Sequence, residues 1–263
     1  MNEKRKAVVL GGSGMTGAKA VKLLESKGWD VFAASRRTGV DLVTGEGLAD
    51  AMNGAEVVID ATNVPAYDEE TLMNFFANAA THIIPAARAA RIRHHVVLSI
   101  VGIDTVPHIA YAHGKIAQEQ AVVGSGLPYT IVRSTQFFEW LGVMADDFTH
   151  GDVAAVPDAD LRPVAIDDAV AALVDVAIAP PVHGFVSVAG PEENTFETWI
   201  QRYFDLTGDR RTARTSNEAT YFGGKIDRRS LVPEKPTMTG PQSFDAWAVS
   251  AAGKAALAGN RVG

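Results

Sequence analysis

Tyr111 and Lys115 stand four residues apart, the spacing that puts two side chains on one face of a helix. Ser99 ends an apolar run twelve residues before Tyr111. A carbonyl that takes up hydride needs a proton on its oxygen. A tyrosine with an ordinary pKa of about 10 is a poor source of that proton until a neighbouring ammonium stabilises its phenolate. Bringing the phenol toward neutrality takes about three pKa units, or about 4 kcal/mol, which a close cation in a partly desolvated cleft can supply. Lys115 is the expected cation, and Ser99 is expected to hold the substrate oxygen by a hydrogen bond. The alternative is that Tyr111 packs its ring on a sheet while Lys115 binds only a cofactor ribose or faces water. His113, between the two, reads as exposed, and His94 and His95 lead into a strand with no metal-ligand spacing. No metal is expected.

A second group lies near the start: Gly11-Gly12-Ser13-Gly14-Met15-Thr16-Gly17 follows one strand-like run and precedes a helical one. Glycines in this context let the chain turn sharply and bring backbone amides close to a pyrophosphate, which then faces a helix N-terminus. A side chain at Gly11 or Gly14 is expected to block this. Gly11, Ser13, Gly14, Met15 and Thr16 are therefore candidate dinucleotide contacts. At the end of the second strand, where an NAD-selective site would place an acid, the chain reads Ala34-Ser35-Arg36-Arg37. Guanidinium groups there suit the 2′-phosphate of NADP(H), which they can clamp through parallel hydrogen bonds. The alternative is a solvated basic loop. Ala61 and Thr62, closing the third strand, complete the expected cofactor contacts together with Lys115.

The elements that must position these groups alternate. Strand candidates are Ala7 to Leu10, Val31 to Ala34, Val57 to Ala61, Val96 to Ile100, Thr130 to Val132 and Phe185 to Val188. Most are too continuously apolar to face water on one side, so helices must cover both faces of a parallel sheet. Helix candidates are Met15 to Ser26 with Gly28 as its stop, Leu48 to Met52, Glu69 to Arg91, Ala112 to Val123, Asp167 to Ala177 and Phe196 to Leu206. Asn194 and Glu197 predict a capping box for the last. Residues 208–240, rich in Gly, Pro, Arg and Thr, read as irregular, and a final helix is expected from Phe244 to about Ala251. No repeat or linker divides the chain, so one domain over residues 1–263 is expected, with residues from about 208 as a C-terminal extension.

Composition narrows the classes. Of 263 residues 47% are hydrophobic and 21% charged, the profile of a chain with a sizeable core, and the absence of cysteine excludes disulfides and thiolate chemistry. The charged start, Met1 to Lys6, runs straight into a strand, and no apolar stretch approaches the roughly 18 residues of a membrane span. A cytoplasmic location is expected, without membrane association. A net charge of −7 with scattered arginines argues against nucleic acid as a partner.

The spacing Gly11, Gly14, Gly17 resembles the short-chain dehydrogenase/reductase superfamily in its extended and atypical branches, and Tyr111 with Lys115 matches that superfamily's Tyr-x-x-x-Lys spacing. Asp41-Leu42 resembles its adenine contact, although the aspartate read alone is equally a turn residue. His95 to Gly102, Gly126 to Arg133, the phrase Ser134-Thr135-Gln136-Phe137-Phe138, Arg162-Pro163-Val164 with Asp167-Asp168, and Ala189 to Glu192 look like the NmrA-like atypical branch, over about residues 5 to 200. This resemblance implies a Rossmann-type doubly wound α/β fold with a small C-terminal substrate-covering part. It further implies NADP(H) binding and, in catalytic members, reduction of carbonyls, enones or quinones. Some relatives bind the dinucleotide as redox sensors without turnover, and many such regulators lack the Tyr-x-x-x-Lys pair that this chain has.

Phe137, Phe138 and Trp140, with Met144, could wall a substrate pocket, with Tyr221 and Phe222 capping it, although an apolar stripe at helical spacing is more often core. The reading is an NADPH-dependent reductase of a small apolar carbonyl, enone or quinone, acting as monomer or homodimer. A non-catalytic NADP(H) sensor is the alternative. Nucleotide-sugar epimerisation or dehydration rests on the glycine spacing alone.

Overall fold

The computed structural model describes residues 4–64, 68–106 and 108–259; of the charged start, residues 1–3 lie outside this range. The chain opens with β1 (Lys6–Leu10), α1 (Met15–Ser26), β2 (Asp30–Ala34), α2 (Leu48–Met52), β3 (Val57–Asp60), α3 (Glu69–Ala89), β4 (His94–Ile100), α4 (Ala110–Val123) and β5 (Tyr129–Ser134). It continues through α5 (Leu141–Asp147), β6 (Thr149–His150), β7 (Val153–Val156), β8 (Asp160–Leu161), α6 (Ile166–Ile178), β9 (Phe185–Ala189) and β10 (Asn194–Thr195). It closes with α7 (Phe196–Thr207), β11 (Thr212–Thr215), β12 (Met238–Thr239), α8 (Phe244–Val249) and α9 (Ala251–Gly259).

The central sheet runs β12-β9-β5-β4-β3-β1-β2. β1 pairs in parallel with both β2 and β3, β3 with β4, and β9 with β12. The order is that of a Rossmann-type doubly wound sheet. Because β2 lies on one side of β1 and β3 on the other, strand order reverses between β1 and β3, the switch point at which open α/β sheets bind ligands. Ala7 to Leu10 are fully buried, as a strand covered on both faces must be.

Two compact units divide the described residues. The first draws on the described residues within Met1–Ser99, Ala110–Arg133 and Val170–Val186, the second on those within Ile100–Ile109, Ser134–Ala169 and Ser187–Gly263. The core of the first gathers Val8, Leu10, Met52, Val58, Ile83, Ala87 and Leu127. That of the second is aromatic: Phe138 lies 5.2 to 6.0 Å, ring to ring, from Phe244, Trp247 and Trp199. Two small sheets, β11-β7-β6 and β10-β8, belong to the second unit.

Local chemistry sets the ends of the elements. Gly28, at φ +86, stops α1, as its position predicts. α3 starts on the Asp68 cap, whose carboxylate accepts from Thr71 N at 2.8 Å, but it ends at Ala89 and not at Arg91. Arg91 takes the left-handed φ of 57°, which terminates the helix. The cap of α7 is Thr195 and not Asn194, and Glu197 turns outward to accept from Thr215 N at 2.7 Å. Thr195, one residue nearer the helix, has the extended backbone and hydroxyl that a cap needs. Within the stretch expected to be irregular stand β11 and β12. The last helix is two: Ser250 is extended, with ψ 165, and its hydroxyl accepts from Gly253 N, capping α9.

Candidate functional site

In the turn after β1 only glycine fits at positions 11, 12 and 17, whereas the block expected at Gly14 is absent: a Cβ there would meet Gly11 O at 3.2 Å, a contact that a small shift relieves. Gly11 adopts φ +72, and a Cβ there would meet Ala61 O at 2.8 Å. A Cβ on Gly12 would press on Ala33, and one on Gly17 would come within 2.2 Å of Gly11 O. The chain thus folds tightly on itself, with Gly14 N donating to Gly11 O at 2.9 Å. Gly14 caps α1 without a side-chain bond, and no acid occupies the first turn. The first amides of α1 are therefore aimed outward with no competing side-chain acceptor, at the positive end of the helix dipole. Ser13, Gly14 and Met15 are exposed and Thr16 is half-buried. Ala61 and Thr62 close β3 directly beside Gly11, across the switch point. This cradle fits the pyrophosphate of a dinucleotide.

Arg36 and Arg37 lie in a 3-10 turn, Arg36–Thr38, that follows β2; Ser35 and Thr38 cap one another and Gly39, at φ +79, ends the turn. Both arginines are exposed, and neither forms an ion pair among the described residues. Asp41 is a turn residue: Oδ1 accepts from Val43 N at 2.8 Å and from Thr44 N at 3.2 Å. Leu42 packs against the core of the first unit.

Tyr111 and Lys115 occupy the first turns of α4. Lys115 is 1% exposed, and its Nζ donates to Leu98 O at 2.7 Å and to Gln118 Oε1 at 2.5 Å, 5.2 Å from the centre of the Phe76 ring. Burial lowers its pKa to about 8 against the opposing pull of Asp60 and Glu119. Tyr111 packs edge-on against the same Phe76, 6.2 Å between ring centres. Its phenol is pushed well above 10 by burial, the opposite of the lowering expected from Lys115. The physical reason is that the ammonium is spent on Leu98 O and Gln118, so desolvation alone acts on the phenol. Ser99 is 2% exposed, and its Oγ has no hydrogen-bond partner among the described residues, so no hydrogen bond among them links Ser99, Tyr111 and Lys115 into one chain.

Of the expected pocket wall, Phe138 is 1% exposed at the centre of the aromatic core of the second unit. Its ring fills a core position because the turn Phe138–Trp140 faces α7 and α8. Met144 and Tyr221 are also buried, Phe137 is half-buried, and Trp140 and Phe222 are exposed. His113 contacts Glu69, with Nδ1 2.6 Å from Oε1. No cluster of metal-ligating side chains occurs among the described residues, and no helix among them is long and apolar enough to cross a membrane.

Motif reading missed Asp60 and Gln118, both buried and hydrogen-bonded to candidate site residues. A carboxylate closing an otherwise apolar strand was the one available signal for Asp60.

Known proteins bear on this geometry in three ways. The photosystem II assembly factor Ycf39 of Trieres chinensis is 26% identical over 148 residues, covering 51% of this chain and 46% of that protein. The chain thus spans about half the length of the curated relatives it matches. Among solved structures, a short-chain dehydrogenase/reductase superfamily protein from Agrobacterium tumefaciens with bound NAD superposes with a TM-score of 0.69 at 16% identity, over 98% of this chain and 97% of that one. An NADPH-dependent quinone oxidoreductase from Escherichia coli gives 0.58 at 17% identity, over 83% and 84%. These likenesses support the superfamily's fold. The model of an NAD(P)H-binding family matches residues 11–174, from the glycine turn through most of α6, and the chain therefore belongs to that NAD(P)H-binding family.

Proposed function

We propose that the chain is an NADPH-dependent oxidoreductase that reduces a small apolar carbonyl, enone or quinone. The carrying observation is the glycine turn with the uncapped start of α1, which leaves backbone amides to hold a pyrophosphate. Arg36 and Arg37, exposed and without ion-pair partners among the described residues, clamp the 2′-phosphate and favour NADPH over NADH. Ala61 and Thr62 border the cofactor, and Asp41 and Leu42 lie toward its adenine.

Held by the amides of the glycine turn and by Arg36 and Arg37, NADPH would supply the hydride for the reduction. Tyr111 Oη gives its proton to the carbonyl oxygen, and Ser99 Oγ donates a hydrogen bond to the same oxygen. The half-buried phenol, its pKa raised by desolvation, stays protonated but is a weaker acid than a free tyrosine until a cation approaches its phenolate. The quinone oxidoreductase likeness supports the substrate class. We place the activity in the cytoplasm, in a monomer or homodimer.

The test is NADPH oxidation, followed by nicotinamide absorbance, against a panel of quinones, enones and ketones. Wild type is compared with Tyr111→Phe after both are found to bind NADPH. Turnover that collapses in the variant supports the role of Tyr111, and turnover that persists removes it while keeping the reductase. Tight NADPH binding with no turnover on any substrate would favour the second reading, a non-catalytic NADP(H) redox sensor. That reading draws support from the inward engagement of Lys115 and from the lack of hydrogen bonds joining Ser99 to the pair.

A further inference from the structure

Beneath the carboxyl ends of β3 and β4 lies a buried polar layer that no motif of the chain announces. Asp60 and Val97 are register partners, so Asp60 shares a sheet face with His95 and Ser99. The Asp60 carboxylate, 1% exposed, accepts from Thr62 N at 3.1 Å, Thr62 Oγ1 at 2.6 Å and Gln118 Nε2 at 2.8 Å. Gln118 Oε1 accepts from Lys115 Nζ at 2.5 Å, and the same ammonium donates to Leu98 O. Asp60, Thr62, Lys115 and Gln118 are each at most 5% exposed.

The opposite charges of Asp60 and Lys115 are joined through an amide and not by a direct ion pair. Turned over, the Gln118 amide would set its NH2 against the ammonium and its oxygen against the carboxylate, both repulsive. The two charges therefore fix the amide's orientation. We propose that Gln118, anchored by Asp60, is a positioning residue that keeps the buried Lys115 ammonium charged and fixed against the end of β4.

The surroundings require such a device. α3 presents the Phe76 ring to the ammonium, and β4 presents His95 and Ser99, whose ring nitrogens and hydroxyl have no hydrogen-bond partner among the described residues. On α4, Glu119 is held by Arg133 at 2.7 Å, while Tyr111 is a neutral phenol and His113 contacts Glu69 of α3. Asp60, reached through Gln118, and Glu119 are the anionic groups acting on Lys115, and burial opposes them. An ammonium stripped of water loses its charge unless its hydrogens are accepted.

The first measurement uses the full chain without dinucleotide, labelled with carbon-13 at lysine Cε and titrated by NMR. One lysine should titrate with a midpoint of about 8 and vanish in Lys115→Met. Gln118→Leu should move that midpoint down, and Gln118→Glu, with a charged acceptor in the same place, should move it up. If Gln118→Leu does not fold, Asp60→Asn, which should also lower the midpoint, takes its place. A midpoint that none of these variants moves overturns the proposal.

The second measurement rests on the NADPH reading. Gln118→Leu should weaken NADPH binding roughly tenfold at pH 7, Gln118→Glu should restore it, and Gln118→Leu should cost nothing further in a Lys115→Met background. Equal losses in both backgrounds would mean that Gln118 does not act through Lys115. A wild type that binds no dinucleotide would sink the NADPH reading alone, since the titration needs no cofactor.

Discussion

Replacing Gly17 by alanine should damage cofactor binding more than any other single methyl added to the glycine turn. The new Cβ would stand 2.2 Å from Gly11 O and 2.8 Å from Gly11 C, both backbone atoms of the same turn. Ordinary contact begins near 3.4 Å, so either the turn or the start of α1 must give way by about 1.2 Å. A hydrogen bond near 2.9 Å stretched by that much is no longer one. Losing one amide bond to a charged phosphate costs about 1.5 to 3 kcal/mol, a rise in Kd of roughly 10- to 150-fold. Gly14→Ala is the matched control: its Cβ meets Gly11 O at 3.2 Å with φ at −80°, so a shift of a few tenths of an ångström relieves it, and Kd should change less than about threefold. Gly28→Ala is the second control. It has open space but φ +86, and should cost about 1 kcal/mol of stability with Kd intact. The assay is NADPH titration by fluorescence, with a thermal melt confirming that each variant is folded at the measuring temperature. Wild-type affinity in Gly17→Ala, or a loss in Gly14→Ala as large as in Gly17→Ala, would refute the cradle.

Three other outcomes follow. Phe138→Ala should destabilise the chain by about 3 to 5 kcal/mol in urea unfolding, because a ring 1% exposed loses three aromatic neighbours, while exposed Trp140→Ala should stay within about 1 kcal/mol. Arg36→Ala with Arg37→Ala should raise the Kd for NADPH at least tenfold and leave that for NADH nearly unchanged, read by parallel titrations. His94, 2% exposed, is held near pKa 4 by burial, with Nδ1 3.1 Å from Ala179 O and Nε2 2.9 Å from Thr130 Oγ1. Between about pH 6.5 and 4 the unfolded chain binds the proton that the folded chain refuses, so stability is complete above 6.5 and falls as pH drops toward 4. That loss, at most about 3 kcal/mol, should shrink in His94→Gln when melting is followed across pH.

The chain's own order of residues determined much of this protein. Alternating apolar runs and helical periods yield six of the seven strands of the central sheet, all but β12, and the helices around them to within about two residues at their ends, because both patterns are local. The glycine turn was legible for the same reason: a positive φ at Gly11 and the close approach at Gly17 follow from steric exclusion within seven residues. Element ends were less legible, since Asn194 and Thr195 are both acceptable caps and only the backbone angles choose between them.

Burial and pairing were decided elsewhere. Spacing places Tyr111 and Lys115 on one helix face, but what that face meets is set by α3 and by the ends of β3 and β4, elements far apart in sequence. Phe138, Trp199 and Trp247 form one core although dozens of residues separate each from the next. Lys115 is spent on Gln118 and Leu98, and Gln118 on Asp60, 58 residues away. A pattern of apolar and polar positions tells that a side chain must be covered. Which atoms cover it, and so which protons it keeps, is fixed only when distant segments close over it and remove the water.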